Sequence, residues 1–471
     1  MLNRRGCKRP AWKGAPRFLL PMLLSAFVLE VVMIVPAPGG TSALAAADAP
    51  ASMNASGFEA GARYGPPLVL DELVGEALRH NPALSSYRAR VSAAGHRIPQ
   101  EKSLPDPMFS AGYQNEGWDR YSFGDRQMSM WNFAASQEFP YPGKLGLKGE
   151  VAREDAESMA ASYEAMRLRI ASQVKEVFYS LFLYYKDLDI IAERVSLFTQ
   201  IENAALARYS SGLAPQEEVI LAQTEKYTLL ERKQKIDQRI QAADARLDAL
   251  LGRQTASPPG RPAQTEYQLN VTKTGPLVAA AISNSPQVKS KQRLVEEARA
   301  AVKLAKKQYY PDFTVTGQVS RRAGDFMDIW SLTTAVNVPL YYRTKQREGV
   351  REARALLGGA EEDLEATRLS LSSEIENYFS IARSADELMK LYSGGLIPKT
   401  SQDFEAALSG YITGKVPALA AIDRLKALLD YEFGYWEQFT EKQKALANIE
   451  AITGKTGWLG LKPNGGGPAS R

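Results

Sequence analysis

The sequence is nearly without cysteine: 471 residues hold one, Cys7. A single thiol excludes a disulfide framework and any thiolate cluster for metal or redox work. Histidine is almost as scarce. The two residues, His80 and His96, read as lying sixteen positions apart on one helix, too far apart to share a metal ion. Gly454-Lys455-Thr456 resembles the end of a phosphate loop, but position 449 is Ile where that loop needs Gly. The methionines (Met108, Met128, Met130, Met159, Met166 and others) form no sustained stripe, and Glu361-Glu362-Asp363 reads as a solvated helix face. These absences leave no catalytic, cofactor or metal site to assign, and an enzyme is not expected.

A surplus of charge is also missing where it would matter. The chain carries 58 Lys and Arg against 53 Asp and Glu. Six of the basic residues (Arg4, Arg5, Lys8, Arg9, Lys13, Arg17) and one acid, Glu30, lie in residues 1–47, leaving 52 of each sign beyond them. A nucleic-acid partner therefore loses its electrostatic support. Those first residues read as a cleaved signal peptide, 1–47: a basic start, an apolar run from Phe18 to Val35, and the small-residue motifs Ala43-x-Ala45 or Ala45-x-Ala47. Cys7 precedes the apolar run, so it is not the lipidated cysteine of a lipoprotein. No later stretch approaches eighteen uninterrupted apolar residues, so no transmembrane helix is expected.

What the chain does have is one pattern written twice. Asn81-Pro82 recurs as Ser285-Pro286, 204 residues later, and Leu104-Pro105-Asp106 recurs as Tyr310-Pro311-Asp312 at an offset of 206. Phe139-Pro140 recurs as Val338-Pro339 at 199; Ala207-Arg-Tyr-Ser-Ser-Gly212 recurs as Ser409-Gly-Tyr-Ile-Thr-Gly414 at 202. Leu251-Gly252 and Thr453-Gly454 share that last offset. Ordered landmarks at nearly constant spacing indicate an internal duplication. The expected layout is a flexible linker at 48–66, a first repeat at 67–256, a linker at 257–274 around Ser257-Pro-Pro-Gly-Arg-Pro262, a second repeat at 275–454, and a flexible tail at 455–471.

Each repeat alternates long helices with short strands. Lys148 to Tyr209 contains no proline and one glycine, and Val174, Val177, Leu181, Tyr184, Leu188, Ile191, Val195 and Phe198 step by three and four. That spacing is a coiled-coil seam on a helix of about 90 Å. Leu364, Leu371, Tyr378, Ile381, Ala385, Leu388 and Tyr392 give a weaker register, with a helix break expected at Gly394-Gly395 and Pro398. Behind Gly212 and Gly414 a further helix of about 35 residues should fold back as a hairpin. The strand candidates are Phe109 to Tyr113, Trp131 to Phe139, Phe313 to Ser320 and Trp330 to Val338. Their alternation suits either a membrane barrel or a half-buried sheet. Counting favours the first, because four strands cannot close a barrel and three chains would supply twelve. Pro105, Pro140, Pro311 and Pro339 stand at every strand–helix junction.

The duplicated layout, Asn81-Pro82, Leu104-Pro105-Asp106 and the turn Arg208-Tyr209-x-x-Gly212-Leu213 resemble TolC-type outer-membrane efflux proteins over about residues 68–454. The exit Glu138-Phe-Pro-Tyr-Pro-Gly-Lys144 resembles the branch serving heavy-metal and related resistance-nodulation-division pumps. The resemblance implies a mainly α fold with β: long coiled-coil helices forming a periplasmic α-barrel, and four strands per protomer of a twelve-stranded trimeric transmembrane barrel. It implies an exit duct in the outer membrane of a Gram-negative cell, extending into the periplasm. That duct would conduct metal ions or small toxic compounds passively, fed by an inner-membrane RND-type pump through a periplasmic adaptor. The runner-up is a periplasmic coiled-coil adaptor or structural protein of an export system, which would need neither the paired strands nor two matching halves.

The resemblance also places sites. Arg208, Tyr209, Gly212 and Leu213, with Tyr411 and Gly414, match the periplasmic hairpin tips that contact the adaptor. Glu218 and Asp423 match gate or constriction acids, and Tyr411 a gate tyrosine bonded to the acid of a neighbouring hairpin. The basic partner expected two residues after Gly414 is absent, because Val416 stands there and Lys415 is one residue off. The alternative for both acids is a solvated helix-start carboxylate facing the helix dipole. Asp423 repeated around a pore would form a ring that favours cations.

Overall fold

The computed structural model describes residues 65–254, 260–454 and 459–461. The expected signal peptide, the linker up to residue 64 and most of the tail lie outside the described residues.

The first repeat opens with strand β1 (Gly65–Leu68) and helices α1 (Leu70–His80) and α2 (Pro82–Lys102). His80 and His96 thus lie on two helices and not on one, because Asn81 ends the first and caps the second. Its Oδ1 accepts from the amides of Ala83 (2.9 Å) and Leu84 (3.3 Å), and Pro82 occupies the first turn, where its missing N–H costs nothing. The Asn81 side-chain Nδ2 donates to the Leu250 carbonyl at 2.8 Å, tying this corner to the far end of the repeat. Gly252 completes the contact: its φ is +73°, and a Cβ there would meet the His80 carbonyl oxygen at 2.6 Å.

Strands β2 (Met108–Gln114) and β3 (Met130–Phe139) lead into α3 (Lys144–Ser210), which hairpins into α4 (Gln216–Leu251). Sixty-seven residues make α3 about 100 Å long. The segment expected as a linker carries β4 (Gly260–Pro262) and β5 (Tyr267–Leu269). The second repeat follows the same order: α5 (Gly275–Asn284), α6 (Pro286–Lys307), β6 (Asp312–Arg321), β7 (Ile329–Asn337) and α7 (Gln346–Leu391). The break expected at Gly394-Gly395 does not occur. A single π-helical turn, Tyr392–Leu396, carries the chain from α7 into α8 (Ile397–Ile412), and Pro398, which would interrupt a regular α-ladder, follows directly on that widened turn. Helix α9 (Ala418–Thr453) returns, and β8 (Leu459–Leu461) pairs with β5.

The central sheet is antiparallel, in the order β2-β3-β6-β7. Strands β1 and β4 pair in parallel, binding the start of the first repeat to the inter-repeat segment. Tyr179 on α3 donates to the Thr265 carbonyl at 3.2 Å, and Arg261 reaches Asp189 at 2.6 Å, so that segment is strapped along α3.

Helix α3 is the axis of the main core. The seam residues Val174, Val177, Leu181, Ile191 and Phe198 are buried, and so are Phe178, Tyr179, Phe182 and Ile201 beside them. A two-residue seam would leave those out; α3 needs a wider apolar band because α1, α4 and α9 all contribute side chains to the same core. Leu371, Ile375 and Phe379 of α7 form a smaller core with Leu446 and Ile449 of α9. Among the described residues no helix is long and apolar enough to cross a membrane.

An aspartate is also buried within the main core. Asp187 on α3 is only 8% exposed, and its Oδ1 has no hydrogen-bond partner. Burial pushes its pKa up to about 7, with Glu437 adding to the rise and Arg232 and Arg239 opposing it. Between the ordinary aspartate value and 7 the unfolded chain releases a proton that the native chain keeps, so stability falls as pH rises through that window. Asp187→Asn should raise the thermal midpoint by a few degrees at pH 8 and leave it unchanged near pH 3.5; equal gains at both pH values would contradict the assignment. Asn81→Ala should cost about 1–2 kcal/mol in denaturant unfolding. Ser285→Ala, at the matching corner where the hydroxyl makes no cap bond, should cost less.

Candidate functional site

The two hairpin tips have the same construction. In the first, the Leu213 amide donates to the Arg208 carbonyl at 2.8 Å and Gly212 to Tyr209 at 2.9 Å. In the second, Lys415 donates to Gly410 at 2.8 Å and Gly414 to Tyr411 at 3.0 Å. Both glycines are left-handed, at φ +73° and +78°, as this helix-ending pattern requires. Pro215 and Pro417 then set the extended residue before α4 and α9.

The tips are joined by three side chains. Tyr411 is fully buried, and its hydroxyl donates to Glu218 Oε2 at 3.2 Å. Burial, and then the Glu218 carboxylate, push the tyrosine up to about 12 against the opposing Arg208 charge, so it remains a neutral donor. Arg208 donates to the Tyr411 carbonyl at 3.2 Å, and its guanidinium lies 5.3 Å from the Tyr411 ring centroid. It also fills the space over Gly414, where a Cβ would meet a guanidinium nitrogen at 2.9 Å. The cation at this latch thus comes from the first hairpin, which the position of Lys415 in the sequence gives no means of anticipating. Tyr209 and Leu213 are exposed at the end of the first tip. Asp423 does not join this group. It lies exposed on α9, while the adjacent Ile422 and the Leu425 two positions on are buried.

Strand register sorts the sheet into two faces. Phe109 lies opposite Ala135, Phe133 opposite Val319, and Val319 opposite Trp330, so these share one face with Trp131, Leu332 and Val336. The other face carries Ser110, Asn132, Ser136, Thr314, Thr316, Gln318, Ser320, Ser331 and Thr333. The apolar face is open: Phe109, Trp330 and Leu332 are 80%, 78% and 70% exposed. Pro105 and Pro311 precede β2 and β6, and Pro140 and Pro339 follow β3 and β7.

At the β3–α3 junction the two repeats are clasped together. Lys144, buried, donates to both Asp312 carboxylate oxygens (2.8 and 2.9 Å) and to the Tyr310 carbonyl (2.9 Å). The Tyr141 amide donates to Asp312 at 2.7 Å, and the rings of Tyr141 and Tyr310 stack at 4.5 Å. Sequence reading singled out the prolines here and passed over this ion pair; an acid at one strand start and a lysine 168 positions away carry no local signal. Other cross-helix pairs, Arg194 with Glu432 and Lys226 with Glu202, escaped for the same reason. Among the described residues no group of three or more His, Cys, Asp or Glu could hold a metal ion.

Comparison with known proteins accords with this geometry. The cobalt-zinc-cadmium resistance protein CzcC of Cupriavidus metallidurans is 22% identical over 397 residues, covering 83% of this chain and 90% of that protein. The outer-membrane channel OprN superposes with a TM-score of 0.71 at 16% identity, covering 83% of this chain and 93% of the other. The outer membrane protein VceC of Vibrio cholerae gives 0.69 at 18% identity, covering 82% and 96%. The model of the family described as outer membrane efflux protein matches residues 73–253 and again 277–455, and the chain belongs to that family.

Proposed function

We propose that three copies of this chain pool their sheets into a twelve-stranded barrel in the outer membrane, continued by the helices as a duct into the periplasm. The sheet carries this reading. Its apolar face is exposed, its opposite face is lined with hydroxyl and amide side chains, and among the described residues β2 and β7 have no neighbour on their outer edges. Four strands cannot close on themselves, and open edges are not tolerated in lipid. In the closed ring the Trp131, Phe133 and Leu332 face meets lipid and the Asn132, Thr316 and Gln318 face meets the channel.

The channel itself is passive and performs no enzymatic step. An inner-membrane pump of the RND class supplies substrate through a periplasmic adaptor, which contacts the tips at Arg208, Tyr209, Gly212, Leu213, Tyr411 and Gly414. The substrates are divalent metal cations, a reading supported by the name of the CzcC relative and by Asp423, which threefold repetition would turn into an acidic ring. The bond from Tyr411 to Glu218, braced by Arg208, holds the two hairpins of each copy together and keeps the tip narrow.

Deleting the chain from its host should lower tolerance to cobalt, zinc or cadmium salts. Unchanged metal tolerance with lost tolerance to organic toxicants would move the substrate class to the latter. In planar bilayers Tyr411→Phe and Glu218→Gln should each raise conductance several-fold with the trimer intact. Asp423→Asn should reduce the preference for cations over anions without opening the channel. Wild-type conductance in both latch variants would show that the gate lies elsewhere.

A further inference from the structure

The two repeats are related closely enough to give the contact between copies in residue detail, on the reading above that copies share a barrel. The relation can be checked inside one chain. Phe109 faces Ala135; shifting the first by the repeat offset of 206 and the second by 199 gives Val315 and Thr334, which do face each other. Met108 and Ser136 become Thr314 and Ala335 by the same shifts, and these also pair. The offsets from the proline landmarks are therefore the offsets of the strands.

Among the described residues the pair β3·β6 has no counterpart, since its equivalent would join β7 to β2, whose outer edges are unpaired there. The helices show the same gap. Helix α6 packs between α3 and α7 and buries Val288, Val295 and Ala300, whereas its equivalent α2 packs on α3 and buries only Leu84. Shifting β3 forward by 199 and β6 back by 206 turns the pair Gln137–Val315 into Val336–Phe109, and Ser136–Thr316 into Ala335–Ser110. The resulting register keeps large apolar residues of the two edges together on one face: beside Val336–Phe109, Phe133–Val319 becomes Leu332–Tyr113. A slip of one residue would point one whole face the wrong way.

The same shifts carry over the junction clasp. Lys144 becomes Arg343 and Asp312 becomes Asp106, so cation and carboxylate are both retained, and the stacked Tyr141 and Tyr310 become Leu340 and Leu104, an apolar pair. All four of these residues are exposed in the single chain. We infer that β7 of one copy pairs antiparallel with β2 of the next, with Val336 opposite Phe109 and Ala335 opposite Ser110, and that Arg343 closes on Asp106 of that next copy as Lys144 closes on Asp312. The basic residue is an arginine at the exposed, inter-copy clasp, where a planar fork can engage the carboxylate through two bonds.

Cysteine pairing tests the register directly, because Cys7 is the only native cysteine. Oxidised outer-membrane protein carrying Ala335→Cys with Ser110→Cys should run as a covalent trimer on denaturing gels. The slipped pairs, Ala335→Cys with Met108→Cys or Gly112→Cys, should link several-fold less. Native electrophoresis of the same samples separates the two levels of the account. A slipped pair that links best in an intact trimer overturns the register alone, while a single-chain mass for unsubstituted protein overturns the shared barrel as well. Asp106→Arg and Arg343→Asp should each lower the temperature at which the trimer dissociates, and their combination should restore it. Single variants without effect, or a combination no better than either, would overturn the clasp.

Discussion

Everything in this fold answers to one constraint: a backbone amide or carbonyl inside lipid must find its hydrogen bond within protein. Four strands leave two edges that break this rule, and among the described residues no further strand of that length covers them. The unpaired edges and the exposed aromatic face are unstable features of a lone chain and ordinary features of one third of a closed barrel. The proposed oligomer is thus a consequence of strand count and face chemistry.

Duplication supplies the means. A single hairpin followed by a long helix and its return is a unit that can tile a ring, because each β3-type strand offers its edge to the β6-type strand of the following unit. One such contact is made inside the chain, with its own ion pair and ring stack. In the proposed trimer the remaining contacts repeat it between copies. The two repeats are then free to differ at the opposite end. There Tyr411 of the second hairpin is buried against Glu218 and Arg208 of the first, so each chain bears one latch and not two identical ones. A packed helix with a contour of about 100 Å connects the ends.

Much of this could be read from the sequence, and the limits have physical causes. Residue spacing of three and four found α3 and its seam, and alternation found all four long strands and placed their apolar residues on one face. Prolines and glycines marked the junctions and tips because those residues act on their own backbone. The short strands β1, β4, β5 and β8 were missed, since three or four residues carry no period and two of these strands lie in a proline-rich stretch. The π-helical turn at Tyr392–Leu396 was read as a break, because Gly394-Gly395 lowers helix propensity but packing against α9 keeps the chain helical. Arg208, Lys144 and Asp312 act on partners far along the chain, and such pairs exist only once the fold has brought them together. Asp187 was invisible for the same reason, as its surroundings come from α4 and α9 and not from its neighbours in sequence.

The central claim is that three chains share one barrel. Native mass measurement on protein extracted by detergent from the outer-membrane fraction tests it most directly. The account requires a complex of three chains, near 150 kDa, that holds together in detergent and dissociates only on heating. A chain recovered alone, soluble without detergent, would contradict it and leave the long helices as a periplasmic scaffold.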